Sequence, residues 1–291
     1  MLRIALPLLM LCVMTGALAQ TPVVWVASPW QHVLKTTDPG TATRVSLTAA
    51  ANEYEPFRII VRAGAQALPD VDLTLPVLRG SKATLPATRL TAYREHYLNV
   101  FEPSYRSKAP TGWYPDALIP FVDPLTGKDL QGAKYDAAPY TIEANSNQGY
   151  WIDVYVPRGT PAGAYRGEVT VKSAGKALAQ VPVTLTVRRF ALPDTIAMES
   201  DFGSFGGVAK KLGLDPASPE FAAVQDQYID FFLAHRCMPA SLGNIWPTVK
   251  EDGTVDDSQT GERLRRLIEE DEAPEKCAVC GAPGRSFREV L

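Results

Sequence analysis

Residues 145–193, NSNQGYWIDVYVPRGTPAGAYRGEVTVKSAGKALAQVPVTLTVRRFALP, contain three runs in which apolar and polar side chains alternate, each closed by turn residues. In the first run, 150–156, Tyr150, Ile152, Val154 and Val156 share one side while Trp151, Asp153 and Tyr155 share the other. That is the two-residue period of a strand. Pro157 ends it, and Pro161-Ala162-Gly163 reverses the chain into 165–172, where Tyr165, Gly167, Val169 and Val171 alternate with polar neighbours. A second reversal at Ser173-Ala174-Gly175 leads to 181–187, and Phe190-Ala191-Leu192-Pro193 stops the pattern at a residue that cannot donate to a sheet ladder.

Upstream the texture is the same. Runs at 23–27, 44–47, 57–63, 71–75 and 89–100 read as further strands, with 52–56 (Asn-Glu-Tyr-Glu-Pro) a polar approach to one of them. Many short strands with regular punctuation predict a mainly β fold: an N-terminal antiparallel β-sandwich over residues 20–193. The connection 102–144, rich in Pro, Gly, Tyr and Asp, is expected to cross the surface as a loop. After Pro193 the period changes. Residues 198–205 suggest a short strand, and Ser218-Pro219-Glu220 opens a helix carrying Phe221, Val224, Gln225, Tyr228, Phe231 and Phe232 on one stripe and ending near His235-Arg236. A second strand within 240–249 and a second helix over 261–270 would follow, making residues 194–270 an incomplete α/β, TIM-barrel-like segment before a tail at 271–291.

The first 19 residues carry one charge, Arg3, then an apolar core over 4–14 and the small-residue pattern Ala17-Leu18-Ala19. They read as a signal peptide, with the mature chain starting at Gln20, exported to the periplasm or outside the cell and keeping no membrane span after cleavage. A net charge of −3 and the lack of a long basic run exclude the electrostatic footprint of a nucleic-acid binder.

Several stretches together resemble a family of secreted bacterial, glycoside hydrolase-like proteins in which a β-sandwich precedes a (β/α) barrel. They are Ala50-Ala51-Asn52-Glu53-Tyr54-Glu55-Pro56-Phe57, Gly112-Trp113-Tyr114-Pro115-Asp116-Ala117-Leu118-Ile119-Pro120, Asn147-Gln148 through Pro157, Pro161-Ala162-Gly163-Ala164-Tyr165-Arg166-Gly167, and the closing Phe190-Ala191-Leu192-Pro193. The resemblance implies carbohydrate chemistry. A complete barrel takes at least about 200 residues, whereas 98 follow Pro193. The expectation is a fragment or frame-shifted product lacking the later strands on which such enzymes carry their acids, and inactive alone.

Sugar hydrolysis usually requires two carboxyl groups about 5 to 9 Å apart. Glu199 and Asp201 would share a face of a strand, but serve equally as strand-end residues, and no catalytic residue is assigned. His32, His96 and His235 have no Gly-x-Ser-x-Gly partner, and residues 203–207 lack the Lys and Ser/Thr of a phosphate loop, so no cofactor is expected. His235, Cys237, Cys277 and Cys280 have the donor types of a tetrahedral zinc site. In an exported chain the same cysteines can pair with one another, and no metal is expected.

Tyr105, Trp113 and Tyr114 beside Asp116 form the candidate binding set for a polysaccharide or glycan: aromatic faces stack on sugar rings while carboxylates accept hydroxyl protons. The same aromatics could instead pin the connection to the rest of the protein. Three functions stay open: a carbohydrate-associated part of a glycoside hydrolase-like protein, a non-catalytic glycan- or cell-wall-binding module, and a structural envelope protein whose sheet edges pair with another chain.

Overall fold

A computed structural model describes residues 21–122, 130, 135–193, 207–237 and 248–256. Twelve strands run through the first part: β1 (Val23–Ala27), β2 (Val45–Ala51), β3 (Glu53–Arg62), β4 (Leu68–Thr74), β5 (Leu78–Arg79), β6 (Thr84–Leu85), β7 (Leu90–Val100), β8 (Gly112–Pro120), β9 (Tyr140–Ile142), β10 (Asn147–Val156), β11 (Gly163–Ser173) and β12 (Lys176–Ala191). One sheet has the order β1-β3-β10-β7-β8, and the other is built on β2-β12-β11-β4-β9 with the short pair β5 and β6 attached through β11.

The three runs that decided the reading are β10, β11 and β12. Alternation places Tyr150, Ile152, Val154 and Val156 of β10 in one buried cluster with Tyr165, Val169 and Val171 of β11 and Val181, Val183, Leu185 and Val187 of β12. Phe57, Ile59 and Val61 of β3 complete the inner face of the first sheet. Two inner faces buried together make a β-sandwich, and each fully buried Val, Ile or Phe contributes roughly 1.5–3 kcal/mol. The β11–β12 hairpin turns through Ala174 (φ 47°) and Gly175 (φ 74°), both in the left-handed region that a two-residue hairpin loop requires.

Two expectations are corrected here. The sandwich is not wholly antiparallel, since β2 pairs with β12 in parallel, Val45 to Val183 through Ala49 to Val187. The cause is a sheet switch: after Ala51 the chain passes through Asn52 at φ 60° and enters β3 of the opposite sheet. Asn52 is fixed by its own N–H donating to Val156 O (2.6 Å) and its Nδ2 donating to Leu192 O (3.1 Å). The connection 102–144 is also not all loop. Residues 112–120 form β8, an edge strand paired with β7 alone in that sheet. One unpaired side lets Pro115 and Pro120 sit in a strand, and between Glu95 and Tyr97 of β7 the partner strand takes up one extra residue as a bulge.

Beyond Pro193, α1 (Val208–Leu212) precedes α2 (Pro219–Ala234), whose first turn is capped by Ser218 Oγ accepting from Phe221 N at 3.1 Å. The buried stripe of α2 is Phe221, Gln225 and Ile229, while Tyr228 and Phe231, expected on that stripe, are exposed. Phe221 and Ile229 pack on Ala209 of α1. β13 (Thr248–Val249) pairs antiparallel with β14 (Val255–Asp256) through a turn closed by Gly253 (φ 79°) and by Asp252 Oδ1 accepting from Thr254 N. The described end of the second expected strand, 248–249, pairs in this antiparallel hairpin, and its remainder, 240–247, lies outside the described residues. The first expected strand (198–205) and the second helix (261–270) lie outside the described residues. Among the described residues, no helix is long and apolar enough to cross a membrane.

Candidate functional site

The outer face of the first sheet carries a closed polar network. Arg58 on β3 is 2% exposed and forks onto Glu95 of β7, Nε to Oε1 at 2.5 Å and Nη2 to Oε2 at 2.7 Å. Its Nη1 donates to the main-chain oxygens of Ser28 (3.2 Å) and Gln31. Gln148 Nε2 donates to Glu95 O (2.7 Å), and Tyr97 hydroxyl to Val33 O (3.1 Å). Asn147 Nδ2 donates to Leu34 O (2.9 Å) and Thr37 O (2.7 Å). Every one of these bonds ends on residues 28–37 or on the ion pair beneath them. An irregular segment is thus held on the sheet by buried donors, an arrangement that fixes geometry because each unpaired member would be costly.

What that segment presents is the partner set of the predicted aromatics. Lys35 Nζ lies 4.6 Å from the Trp113 ring centroid and 3.3 Å from Glu143 Oε2. His32 meets Tyr114 edge-on at 5.7 Å, and the Tyr114 hydroxyl donates to Pro110 O at 2.6 Å. Trp113 is 44% exposed, and Asp116 is exposed two residues beyond Tyr114 on the same strand. Trp113, Tyr114 and Asp116 thus lie on β8, with Trp113 beside Lys35, which pairs with Glu143, and Tyr114 beside His32, while the neighbour on which the Asp116 charge acts is His96. Tyr105 stands apart in the preceding loop, 88% exposed, its ring 5.0 Å from the Arg106 guanidinium. His96 of β7 lies against the Tyr135 ring at 4.7 Å. Burial, then the charges of Arg94 and Lys35, hold its imidazole below the usual range, and Asp116 acts the other way.

Two further carboxyl groups are shifted upward. Burial raises Asp153 of β10, against the hydrogen bond from Trp151 Nε1 (2.7 Å) and the charge of His235. Burial and then Glu53 raise Glu55 of β3. In the β10–β3 register Asp153 faces Pro56 and Val154 faces Glu55, so alternation sends the two carboxyls to opposite faces of the sheet. They do not form the converging pair that glycoside cleavage uses.

Of the zinc donor set, His235 at the end of α2 stacks on Tyr54 at 4.8 Å with its Nδ1 2.8 Å from Phe231 O, and Cys237 Sγ donates to His235 O at 3.5 Å. Cys277 and Cys280 lie outside the described residues, as do Glu199 and Asp201. Among the described residues no three His, Cys, Asp or Glu side chains gather as metal ligands.

The chain is thus a mainly β, two-sheet sandwich with an aromatic edge strand beside a segment held by buried polar groups. Residues 31–173 match the family model of the glycoside hydrolase 123 N-terminal domain, so the N-terminal region of this chain is glycoside hydrolase-like. A family 123 glycoside hydrolase from Clostridium perfringens, analysed for the details of glycolipid glycan hydrolysis, shares the fold with a TM-score of 0.62 at 12% identity. The alignment covers 86% of this chain and 46% of that one, so this chain spans less than half of that enzyme's length. A sporulation control protein from Bacillus subtilis (TM-score 0.25, 7% identity, covering 60% of this chain and 51% of that one) shows only a loose likeness. A Niemann-Pick type C2 protein from the Japanese carpenter ant is equally distant (TM-score 0.25, 9% identity, covering 57% of this chain and 93% of that one). No curated protein matches the sequence.

Proposed function

We propose that the chain is an exported, carbohydrate-associated protein corresponding to the N-terminal part of a glycoside hydrolase 123-like protein. In this reading the sandwich binds glycan along β8 and hydrolysis belongs to barrel strands outside it. The observation that carries the reading is the family match over residues 31–173, which spans most of the sandwich and includes the whole buttressed edge. Trp113, presented by an edge strand with Lys35 over its ring and Glu143 paired to that lysine, supplies what a sugar needs: an apolar face and charged groups for its hydroxyls. The segment after Pro193, with Ser218 capping α2, is the start of a (β/α) barrel in this proposal, and residues 1–19 are its export signal.

Affinity electrophoresis through gels containing glycans, among them glycolipid-derived and cell-wall polysaccharides, tests the binding role. The parent chain is expected to be retarded by at least one glycan and to release no reducing sugar from it. Retardation unchanged in Trp113→Ala would remove the β8 edge from the proposal. Mass spectrometry of the protein recovered from the producing cell's exterior or periplasm is expected to find Gln20 as the first residue.

A further inference from the structure

On the inner side of the same sheet, Tyr150 and Arg94 are direct cross-strand partners on β10 and β7. Tyr150 is fully buried, and among the described residues its hydroxyl has no hydrogen-bond partner. Arg94 is 4% exposed. Its Nε donates to Asp136 O at 2.8 Å and its guanidinium lies over the Tyr140 ring at 4.1 Å, but among the described residues it forms no ion pair. Asp136, whose carboxylate charge favours the guanidinium without pairing with it, is exposed. Asp72 faces Tyr150 electrostatically, with one carboxyl oxygen accepting from Leu73 N at 2.7 Å. A buried arginine without a paired anion and a buried hydroxyl without a partner, as these two are among the described residues, are each costly. Their being adjacent is what one shared ligand would account for.

The geometry points to a binding site for a single carboxylate between Arg94 and the Tyr150 hydroxyl, distinct from the β8 edge and going beyond the proposed glycan binding. A planar carboxylate matches the two Nη groups of the guanidinium, which have no acceptor among the described residues, and the second donor, a tyrosine O–H, completes an acceptor with several lone pairs. The Tyr140 ring stacked on the guanidinium keeps the fork in one orientation. The carboxylate has two sources that this chemistry does not separate, a free small carboxylate and the uronic acid unit of an acidic glycan.

Ligand-observed NMR on the full chain, with acetate, glucuronate and glucose at matched ionic strength, tests the site and tells the sources apart. Binding of acetate and glucuronate, but not glucose, supports a site for any carboxylate, whereas binding of glucuronate alone assigns it to the sugar acid. In both cases Arg94→Met is expected to weaken binding about tenfold or more, as loss of a charge-assisted hydrogen bond does, and Tyr150→Phe by a smaller factor. Arg94→Lys keeps the charge and loses the fork, so it is expected to fold as the parent does by circular dichroism and still bind more weakly. Absence of carboxylate binding, equal binding of glucose, or undiminished binding by Arg94→Lys and Tyr150→Phe would overturn the assignment. Retention of acetate binding in Trp113→Ala is expected and separates this site from the one on β8.

Discussion

Arg58 and Arg94 sit on strands separated by β10 in one sheet, each almost wholly removed from water, and they have been treated in opposite ways by the fold. Arg58 reaches the outer face and finds a carboxylate in bidentate geometry together with two main-chain oxygens. Arg94 reaches the inner side and, among the described residues, finds one carbonyl and an aromatic ring. Since Glu95 is the very next residue after Arg94, alternation along β7 decides which arginine receives the anion: a strand cannot aim two consecutive side chains at the same face. The closed cluster serves architecture, since it ties residues 28–37 down. The open one leaves donors without acceptors among the described residues, and buried polar groups left so call for a partner from outside the fold.

The largest test of this contrast removes the anion from the closed side. Glu95→Ala leaves Arg58 buried and unpaired, and is expected to cost about 3–5 kcal/mol in urea denaturation, whereas the apolar pair Arg58→Met with Glu95→Leu recovers much of that loss. Gly149→Ala should be comparably damaging, because a Cβ at that position would lie 1.9 Å from Glu95 Oε2 and force the carboxylate off Arg58. If Glu95→Ala were nearly neutral, Arg58 would have to be satisfied by its carbonyls alone and the two arginines would not differ as described.

Asp153 gives a smaller effect, and one that depends on pH. It belongs to the outer face, with Trp151 of its own strand, Pro56 and Thr91 across the ladders, and His235 from α2. Burial makes the folded chain hold the Asp153 proton more tightly than the unfolded chain does, so the neutral carboxyl's contribution is complete below the ordinary aspartate range and is lost as pH rises through the raised folded value. Asp153→Asn keeps an acceptor for Trp151 Nε1 and removes the charge. The variant is expected to be more stable than the parent at pH 7 and equal to it near pH 3, and an equal gain at both would mean that burial of this charge is not what separates them.

How much of this could be read from the residues alone follows from the range of the interactions involved. β10, β11 and β12 were legible because period-two alternation and the Ala174-Gly175 turn are local. β8 was hidden by its two prolines and its bulge, which are admissible only at a sheet edge, a fact about neighbours and not about the stretch itself. The parallel pairing of β2 with β12 was hidden likewise, since it depends on the chain changing sheets at Asn52. Trp113, Tyr114 and Asp116 were recognisable as chemistry, but Lys35 and His32 come from an irregular segment whose position is set by Arg58, Tyr97 and Asn147. Arg94 and Tyr150 carried no signal, because an arginine lacking its anion shows only when every neighbour is in place.

The smallest expected effect is at Tyr150, and its sign discriminates most sharply. Substituting a satisfied buried hydroxyl costs stability, while removing an unsatisfied one relieves a desolvation penalty, so Tyr150→Phe in chloride alone should be neutral or stabilise by up to about 1 kcal/mol. A ligand that binds only the folded chain stabilises it in proportion to the logarithm of its occupancy. In a buffer saturated with the carboxylate that binds, the parent therefore gains and the variant gains less, and the order of their melting temperatures reverses. A hydroxyl already satisfied within the protein would make Tyr150→Phe the less stable chain in both buffers, and Arg94 would then stand beside an ordinary core tyrosine.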